Sequence, residues 1–269
     1  MDQKLELLNY GGDSDDDAGS DGAAPLPFFP AEGQVACLVF IPVPNALLSP
    51  HAAYARRLFR SGSCAELPTF CHVSLSRPFP LRAHCVAPFS ARLGAALAAR
   101  RAAPGRLALR GLRVFCGGAG AACAFPALLA SGPVLAPLLA AADEAVVAFG
   151  GAPFYRPPRP HASLGEARGA AAASALLAAA RAAGVEAHGS VIGGSGSCAG
   201  ASSVDALFAP QRGVRKRGRE GAAAAEEEEE GEEPGGEEGA GEEPPPCSLE
   251  VPAVCFKAGA AVYTLRLDG

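Results

Sequence analysis

Apolar and polar residues alternate along two short stretches of the chain that share one pattern. Residues 70–76 read Phe-Cys-His-Val-Ser-Leu-Ser, and residues 160–164 read Pro-His-Ala-Ser-Leu. In a β-strand, successive side chains point to opposite faces, so the histidine and the first serine of each stretch share one face while the apolar residues point into a core. Two such strands lying side by side would bring four polar groups together. These groups are His72, Ser74, His161 and Ser163.

The rest of the hydrophobic pattern predicts an α+β protein. Runs of apolar and β-branched residues bounded by Gly and Pro indicate strands, and apolar residues at helical spacing indicate helices. Strands are predicted at 34–43, 69–76, 106–115 and 121–125, with a closing hairpin of 249–257 and 261–267. Helices are predicted at 49–61, 82–101, 133–149 and 169–183. Because these elements fall into two similar halves, we expect a bilobed fold of two pseudo-symmetric lobes, with antiparallel sheets lining a central cleft and helices outside.

Composition separates the predicted domain from two segments of low complexity. Residues 1–33 are acidic and then Pro-rich, with five Asp within nine positions. Residues 189–247 begin Gly- and Ser-rich, continue through the basic cluster 212–219 and end in a Glu-rich run. Both segments hold too few apolar residues to offset the entropy of ordering, so we predict a disordered tail and a mostly disordered insertion. The predicted two-lobed domain covers 34–188, and a hairpin within 248–269 completes it.

The net charge of the whole chain hides a basic domain. The formal charge is −5, but most acidic residues lie in the two low-complexity segments. Outside residues 1–33 and 212–246 the chain holds 17 Lys and Arg against 8 Asp and Glu, a balance of +9. A basic body favours a polyanionic partner, although an ordinary solvated basic surface has the same composition. The basic cluster 212–219 fits a nuclear-localisation signal, a nucleic-acid patch or a plain solvated charge run.

Membrane insertion, secretion and zinc binding are not expected from this sequence. No apolar run reaches the ~18 residues of a membrane span, and the first residues lack the charged-then-apolar pattern of a signal peptide. The nine cysteines include no Cys-x-x-Cys pair. We therefore expect reduced thiols, and neither a metal nor another cofactor.

The repeated histidine and serine pattern suits acid–base chemistry on a phosphodiester. An unperturbed histidine has a pKa of about 6.5, so near neutral pH one ring can accept a proton while the other donates one. One histidine could activate a 2′-hydroxyl and the other could protonate a 5′-oxygen leaving group, while the serines hold phosphate oxygens. This scheme requires no metal. The alternative is two unrelated strand histidines, each satisfied by a local hydrogen bond.

The loop before the second motif carries two aromatic residues, Phe154 and Tyr155. Residues 150–160 are rich in Pro, which limits the conformations of this loop. Tyr155, flanked by Arg156 and Arg159, could stack on a base, or both aromatic rings could pack into the core. For Phe154 we expect the core position.

Together these motifs resemble those of the U6 small nuclear RNA phosphodiesterases, within the two-histidine (2H) phosphoesterase superfamily. The two His-x-Ser motifs lie about ninety residues apart, and Tyr155 lies six residues before His161. The tail Ala-Val-Cys-Phe-Lys-Ala-Gly at 253–259 is similar to the terminal hairpin of that family. The resemblance covers about 34–188 and 248–269.

The resemblance implies a metal-independent 3′–5′ exoribonuclease of the nucleus, a nuclease with hydrolase or lyase chemistry that serves mRNA splicing. Such an enzyme trims the oligouridine 3′ end of U6 small nuclear RNA by attack of a 2′-hydroxyl, and leaves a 2′,3′-cyclic or a 3′ terminal phosphate. It would act on RNA as a monomer, without a membrane or a cofactor. The implied roles are base for His161, acid for His72, phosphate binding for Ser74 and Ser163, and stacking on the terminal base for Tyr155.

Two other functions stay open on the sequence alone. One is a 2H enzyme, a cyclic nucleotide phosphodiesterase or a ligase-like relative, that opens small 2′,3′-cyclic phosphates. The other is a non-catalytic RNA-binding module, although the presence of both histidines and both serines argues against a loss of catalysis. Pro160, Gly165 and Glu166 depart from the family pattern, and a Glu166 carboxylate that faced the cleft would repel RNA.

Overall fold

The computed structural model describes residues 30–59, 67–68, 70–117, 123–188 and 242–267. Most of the predicted acidic tail and most of the predicted insertion, with its basic cluster, lie outside these residues. Within them the chain forms eleven strands and four α-helices, so the predicted α+β class is confirmed. None of the helices in these ranges is both long and apolar enough to cross a membrane.

The elements are numbered in chain order. The strands are β1 Gln34–Pro42, β2 His72–Ser74, β3 Phe79–Arg82, β4 Gly105–Gly117, β5 Cys123–Ser131, β6 His161–Ser163, β7 Ala167–Arg168, β8 Ala187–His188, β9 Cys247–Val251, β10 Ala253–Ala258 and β11 Ala261–Arg266. The α-helices are α1 Asn45–Phe59, α2 Val86–Ala99, α3 Leu135–Ala148 and α4 Ala170–Ala182. A 3₁₀ turn, Ala83–Cys85, precedes α2.

The strands join into one mixed sheet. Its order is β11-β10-β1-β2-β6-β5-β4-β8, with β3 beside β1, β7 beside β5 and β9 beside β4. The pairing of β4 with β8 is parallel, so the sheet is not purely antiparallel as predicted. The two motif strands, β2 and β6, are neighbours at the centre and connect the half around β1 with the half around β5. The pseudo-symmetry of two lobes stays a prediction.

The four helices cover one face of this sheet. Buried apolar residues from every helix and from alternate strand positions form one core. In β1, Val39 and Ile41 belong to that core, whereas Phe40 points to the opposite face. The motif strands follow the same alternation, because Val73 and Ala162 are fully buried in the core and their polar neighbours are only half-buried. We call the face opposite the helices the site face.

The closing segment differs from the predicted hairpin. The chain breaks its strand at Pro252, so that β9 pairs with β4 while β10 pairs with β1 and β11. Proline has no N–H to donate to a ladder, which makes it a natural point at which a strand changes neighbours. The predicted hairpin is therefore formed by β10 and β11, and β9 ties the tail to the other half of the sheet.

β5 also extends further than predicted, through Pro126 to Ser131. Pro126 lies opposite Val114 of β4. The N–H of Val114 points away from β5 and donates to the Glu186 carbonyl. The missing N–H of Pro126 therefore costs no hydrogen bond with β4. The carbonyl of Pro126 still accepts a hydrogen bond from the N–H of Leu164 (2.8 Å).

Candidate active site

The two motif strands form an antiparallel pair in which Val73 lies opposite Ala162. Residues directly opposite each other share a face, with Cβ atoms about 4.5–5.5 Å apart, and diagonal neighbours lie at about 7–8 Å. The two histidines are diagonal neighbours in this register, with a serine opposite each. The opposite pairs on the site face are His72 with Ser163 and Ser74 with His161. The sequence prediction that these four groups come together is confirmed.

Each histidine contacts a backbone carbonyl oxygen through Nδ1, and the two contacts are of the same kind. Nδ1 of His72 lies 3.3 Å from the carbonyl oxygen of Phe70, and Nδ1 of His161 lies 2.8 Å from that of Arg159. In each case the carbonyl belongs to the residue two positions earlier. A carbonyl oxygen only accepts, so Nδ1 of a neutral ring carries the proton and Nε2 carries the lone pair. This arrangement presents Nε2 as the nitrogen for proton transfer.

Two phenylalanine rings contact each histidine. The His161 ring stacks on Phe115, with ring centroids 4.4 Å apart, and lies 5.5 Å from Phe125. The His72 ring lies 5.6 Å from Phe40 and 5.7 Å from Phe70, the latter in a stacked arrangement. Such contacts restrict the orientation of the imidazoles. Each histidine is thus fixed by one carbonyl and two aromatic rings.

The environment of His161 favours its neutral form. Burial lowers the pKa of His161, and the hydrogen bond to the Arg159 carbonyl opposes this shift only in part. Removing an imidazolium from water disfavours the charged form, which is the physical cause of the lower pKa. At neutral pH His161 is therefore ready to accept a proton at Nε2.

The two motif serines are half-buried on the site face. Within the described ranges neither the Ser74 nor the Ser163 hydroxyl has a hydrogen-bond partner, so both can donate to phosphate oxygens. The second serine of the first motif has a different role. Ser76 is buried, and its Oγ accepts a hydrogen bond from the N–H of Val39 (2.9 Å).

The loop before β6 holds Phe154 and Tyr155 in different environments. Phe154 is buried, as predicted, and contacts the half-buried Tyr155 edge-on. The guanidinium of Arg77 lies over the Tyr155 ring, 4.2 Å from its centroid. A base that stacked on Tyr155 would therefore take the opposite face of the ring or replace Arg77. The stacking role of Tyr155 stays a prediction.

A carboxylate on α3 anchors this loop. Asp143 accepts hydrogen bonds from the N–H of Phe154 (2.6 Å) and from the guanidinium of Arg156 (2.7 Å). Further along, the Glu166 carboxylate pairs with Arg168 at 2.9 Å. This ion pair compensates the charge of the Glu166 carboxylate.

Sequence reasoning missed the aromatic surroundings of the histidines and the residues that hold Arg159. The Arg159 guanidinium donates to Nδ1 of His188 (2.7 Å), while Nε2 of His188 lies 3.3 Å from the Glu186 carboxylate. Burial and the nearby arginines lower the pKa of His188, which suits an imidazole that accepts from a guanidinium. Of these residues, only Phe70 could have been identified from the sequence around a motif, because it lies two residues before His72.

Two solved structures of one known protein are similar to this chain. A structure of Usb1 from Kluyveromyces marxianus is similar to this chain at 15% identity and a TM-score of 0.47, covering 86% of this chain and 98% of that one. A second structure of the same protein, with uridine monophosphate, matches at 14% identity and a TM-score of 0.49, covering 87% and 98%. The search of curated protein sequences found no match.

A family model also matches the chain. This model is HVSL, described as an uncharacterised conserved protein, and it matches residues 37–184, more than half of the chain. The match includes both His-x-Ser motifs, and its four-letter name is the one-letter sequence of residues 72–75. The chain belongs to the HVSL family.

Proposed function

We propose that this protein is a metal-independent 3′–5′ exoribonuclease that trims the oligouridine 3′ end of U6 small nuclear RNA. The observation that carries the proposal is the antiparallel pairing of two His-x-Ser strands, which sets two histidines diagonally across one sheet face with a serine opposite each. A phosphate between the two rings would have a proton acceptor on one side and a proton donor on the other. That is the arrangement required for in-line transfer at a phosphodiester.

The proposed step is a transesterification at the last phosphodiester. Nε2 of His161 takes the proton of the 2′-hydroxyl of the penultimate nucleotide, and the oxygen attacks phosphorus. The bond from phosphorus to the 5′-oxygen of the terminal nucleotide breaks, and that oxygen receives the Nε2 proton of His72. The products are a 2′,3′-cyclic phosphate and a released nucleoside with a 5′-hydroxyl. Addition of water to the cyclic ester would leave an opened terminal phosphate.

The environments of the groups support this division of roles. The His161 ring contacts two phenylalanine rings, and burial lowers its pKa, so it enters the reaction as the neutral base. His72 then supplies the proton to the leaving oxygen. The hydroxyls of Ser74 and Ser163, each opposite a histidine, donate to the non-bridging phosphate oxygens as negative charge shifts in the transition state.

The proposal extends to the partner, the lobes and the cell compartment. The charge balance of +9 outside the acidic segments favours RNA as the partner, and we propose that Tyr155 stacks on the terminal base.

The two histidines have similar surroundings, since each contacts a carbonyl two residues earlier and two phenylalanines. This repetition supports two pseudo-symmetric lobes. We also propose that the protein acts as a monomer and in the nucleus, where the basic cluster 212–219 would act as the localisation signal.

Substrate chemistry tests this function. Purified protein in EDTA would be incubated with a 5′-labelled RNA ending in uridines and with the same RNA carrying a 2′-deoxy penultimate nucleotide. Stepwise shortening of the first and resistance of the second are expected, because the attacking hydroxyl is absent from the second. Turnover of uridine 2′,3′-cyclic phosphate without shortening would indicate the cyclic phosphodiesterase instead. Binding of both RNAs with no turnover of any substrate would indicate the non-catalytic module.

A further inference from the structure

A pocket next to His161 is lined by three arginines. It has a volume of about 370 Å³ and lies between β4, the end of β5 and the last residues of the loop before β6. None of its nine lining residues is acidic. The three arginines are Arg110, Arg113 and Arg159. We call this site the arginine pocket.

A β-bulge brings two of these arginines to the same face. Arg110 pairs with Leu129 and Arg113 pairs with Ala127, and the register shifts between them. Residues three apart in a regular strand would point to opposite faces, but one extra residue restores the same face. The extra residue lies around Gly111, whose φ of +68° is a left-handed conformation that glycine adopts without strain. The bulge thus aims both guanidinium groups into one pocket.

The arginine pocket lies in line with the candidate active site. In the neighbouring ladder Leu129 pairs with His161 and Ala127 pairs with Ser163. Arg110 therefore lies in the same cross-strand row as His161, two strand spacings or about 10 Å away. Arg113 lies in the row of Ser163. An anionic chain bound at the histidines can continue along these rows into the pocket.

Contacts within the fold hold two of the three cations in place. The Glu186 carboxylate lies 2.9 Å from Nε of Arg113, and His188 accepts a hydrogen bond from Arg159 at 2.7 Å. Arg110 is exposed, and within the described part of the chain its side chain has no hydrogen-bond or ion-pair partner. The guanidinium groups of Arg113 and Arg159 are therefore held in position, whereas that of Arg110 can change its orientation. Planar guanidinium groups bind phosphate oxygens in bidentate fashion.

We propose that the arginine pocket binds the backbone phosphate immediately 5′ of the phosphodiester that is cleaved. This inference rests on the proposed function, because it takes His161 as the base. The 2′-hydroxyl that His161 activates lies on the 5′ side of the scissile phosphate, so the chain on the pocket side of His161 is the upstream chain. The ligand is thus the sugar–phosphate backbone of single-stranded RNA, bound without reading the base. The pocket would hold the upstream chain while the 3′ end is cut.

Two uridine oligomers, two variants of Arg110 and one control variant test this proposal. The dinucleotide UpU has only the scissile phosphate, whereas UpUpU has one further phosphate upstream. Cleavage of both in EDTA by the wild type is compared with that by Arg110→Gln, Arg110→Lys and a control, Arg57→Gln, which changes an exposed arginine on α1. Binding of non-cleavable 2′-deoxy trinucleotide and dinucleotide analogues is measured by fluorescence anisotropy at several salt concentrations.

We expect the wild type to prefer the trinucleotide and Arg110→Gln to lower kcat/KM for it by about 10-fold or more, the size of one hydrogen-bonded phosphate contact. Arg110→Lys should recover part of this loss, and Arg57→Gln should behave as the wild type does. For trinucleotide binding, the slope of the logarithm of the binding constant against the logarithm of the salt concentration should become about one unit less steep in Arg110→Gln. Equal losses on the dinucleotide and trinucleotide, or an unchanged salt slope, would overturn the proposal. If no RNA is cleaved by the wild type, the proposed function fails, and the binding data still decide on the pocket.

Discussion

Val73 lies opposite Ala162 across β2 and β6, and this register sets the position of every polar group in the candidate active site. Both residues are fully buried in the core beneath the sheet. A slip of one residue in either strand would turn the histidine and serine of that strand towards the core and bury them without partners. The packing of two small apolar side chains therefore fixes the geometry of the two histidines.

The division of roles between the histidines can be tested with a changed leaving group. An RNA with sulfur in place of the bridging 5′-oxygen releases a thiolate, which needs no proton. His72→Ala should lose about 10²–10⁴-fold in rate on the oxygen substrate, but recover most of its rate on the sulfur substrate. His161→Ala should be slow on both, because the 2′-hydroxyl is no longer activated. Recovery in His161→Ala instead of His72→Ala would show that the two roles are reversed.

The pH dependence follows from the environment of His161. The base must be neutral, so the rate falls as pH falls through the pKa of His161, and burial lowers that pKa. We expect the acid limb of the kcat/KM profile to lie below the ordinary histidine value of about 6.5. The pKa of His161 is lower in the folded than in the unfolded protein. Its contribution to the free energy of unfolding is therefore highest above about pH 6.5 and decreases as pH falls through the folded-state pKa.

Phe115→Leu provides the matched variant for this profile. Phe115 stacks on His161 and is fully buried, so the smaller side chain gives water better access to the imidazole. The acid limb should move up towards pH 6.5. Phe89→Leu changes an equally buried phenylalanine in the core under the other face. It should lower stability without moving the limb, and an identical profile for the wild type and Phe115→Leu would contradict the account.

Ser76 has a structural role that is distinct from those of the two serines in the His-x-Ser motifs. Its Oγ accepts the hydrogen bond of the Val39 N–H, and the side chain is buried. Ser76→Ala leaves that N–H without a partner and should lower the free energy of unfolding by about 1–3 kcal/mol. Urea denaturation measures this, with Ser174→Ala on the exposed side of α4 as the control. A Ser76→Ala protein as stable as the wild type would rule out this role.

The Asp143 carboxylate should control the loop that carries Tyr155. Asp143→Ala removes the hydrogen bonds to Phe154 and Arg156, one of them with a cation, and should cost about 1.5–3 kcal/mol of stability. The looser loop should also raise KM for RNA more than it lowers kcat. Glu144→Ala is the neighbouring control, because Glu144 pairs only with half-exposed or exposed arginines and its loss should cost less than about 1 kcal/mol. Equal effects of the two variants on KM would refute the anchoring role.

The sequence predicted those features that depend on local periodicity. The alternation in the two motifs was enough to expect His72 and Ser74 on one face, and helical spacing predicted 133–149 where the helix Leu135–Ala148 is found. A one-residue shift in such a pattern reverses the faces, so the pattern itself defines them. The repetition of the motif suggested that the two strands could lie side by side, and the structure pairs them.

Features that depend on the register of distant strands could not be predicted. The stacking of Phe115 on His161 needs β4, β5 and β6 to be aligned, and no local pattern carries that alignment. The glycine at position 111 could have indicated a bulge, since an isolated glycine in a strand often does. Even so, the consequence that Arg110 and Arg113 share a face requires the pairing with β5.

One assay tests the central claim, that two histidines on paired strands cut RNA together. A 5′-labelled RNA ending in several uridines would be incubated in EDTA with the wild type, His72→Ala, His161→Ala and His84→Ala, the last an exposed histidine in the 3₁₀ turn. The account predicts a ladder of stepwise shortened products, ending in a cyclic or opened phosphate, for the wild type and His84→Ala only. A ladder that persists in either His72→Ala or His161→Ala would contradict it.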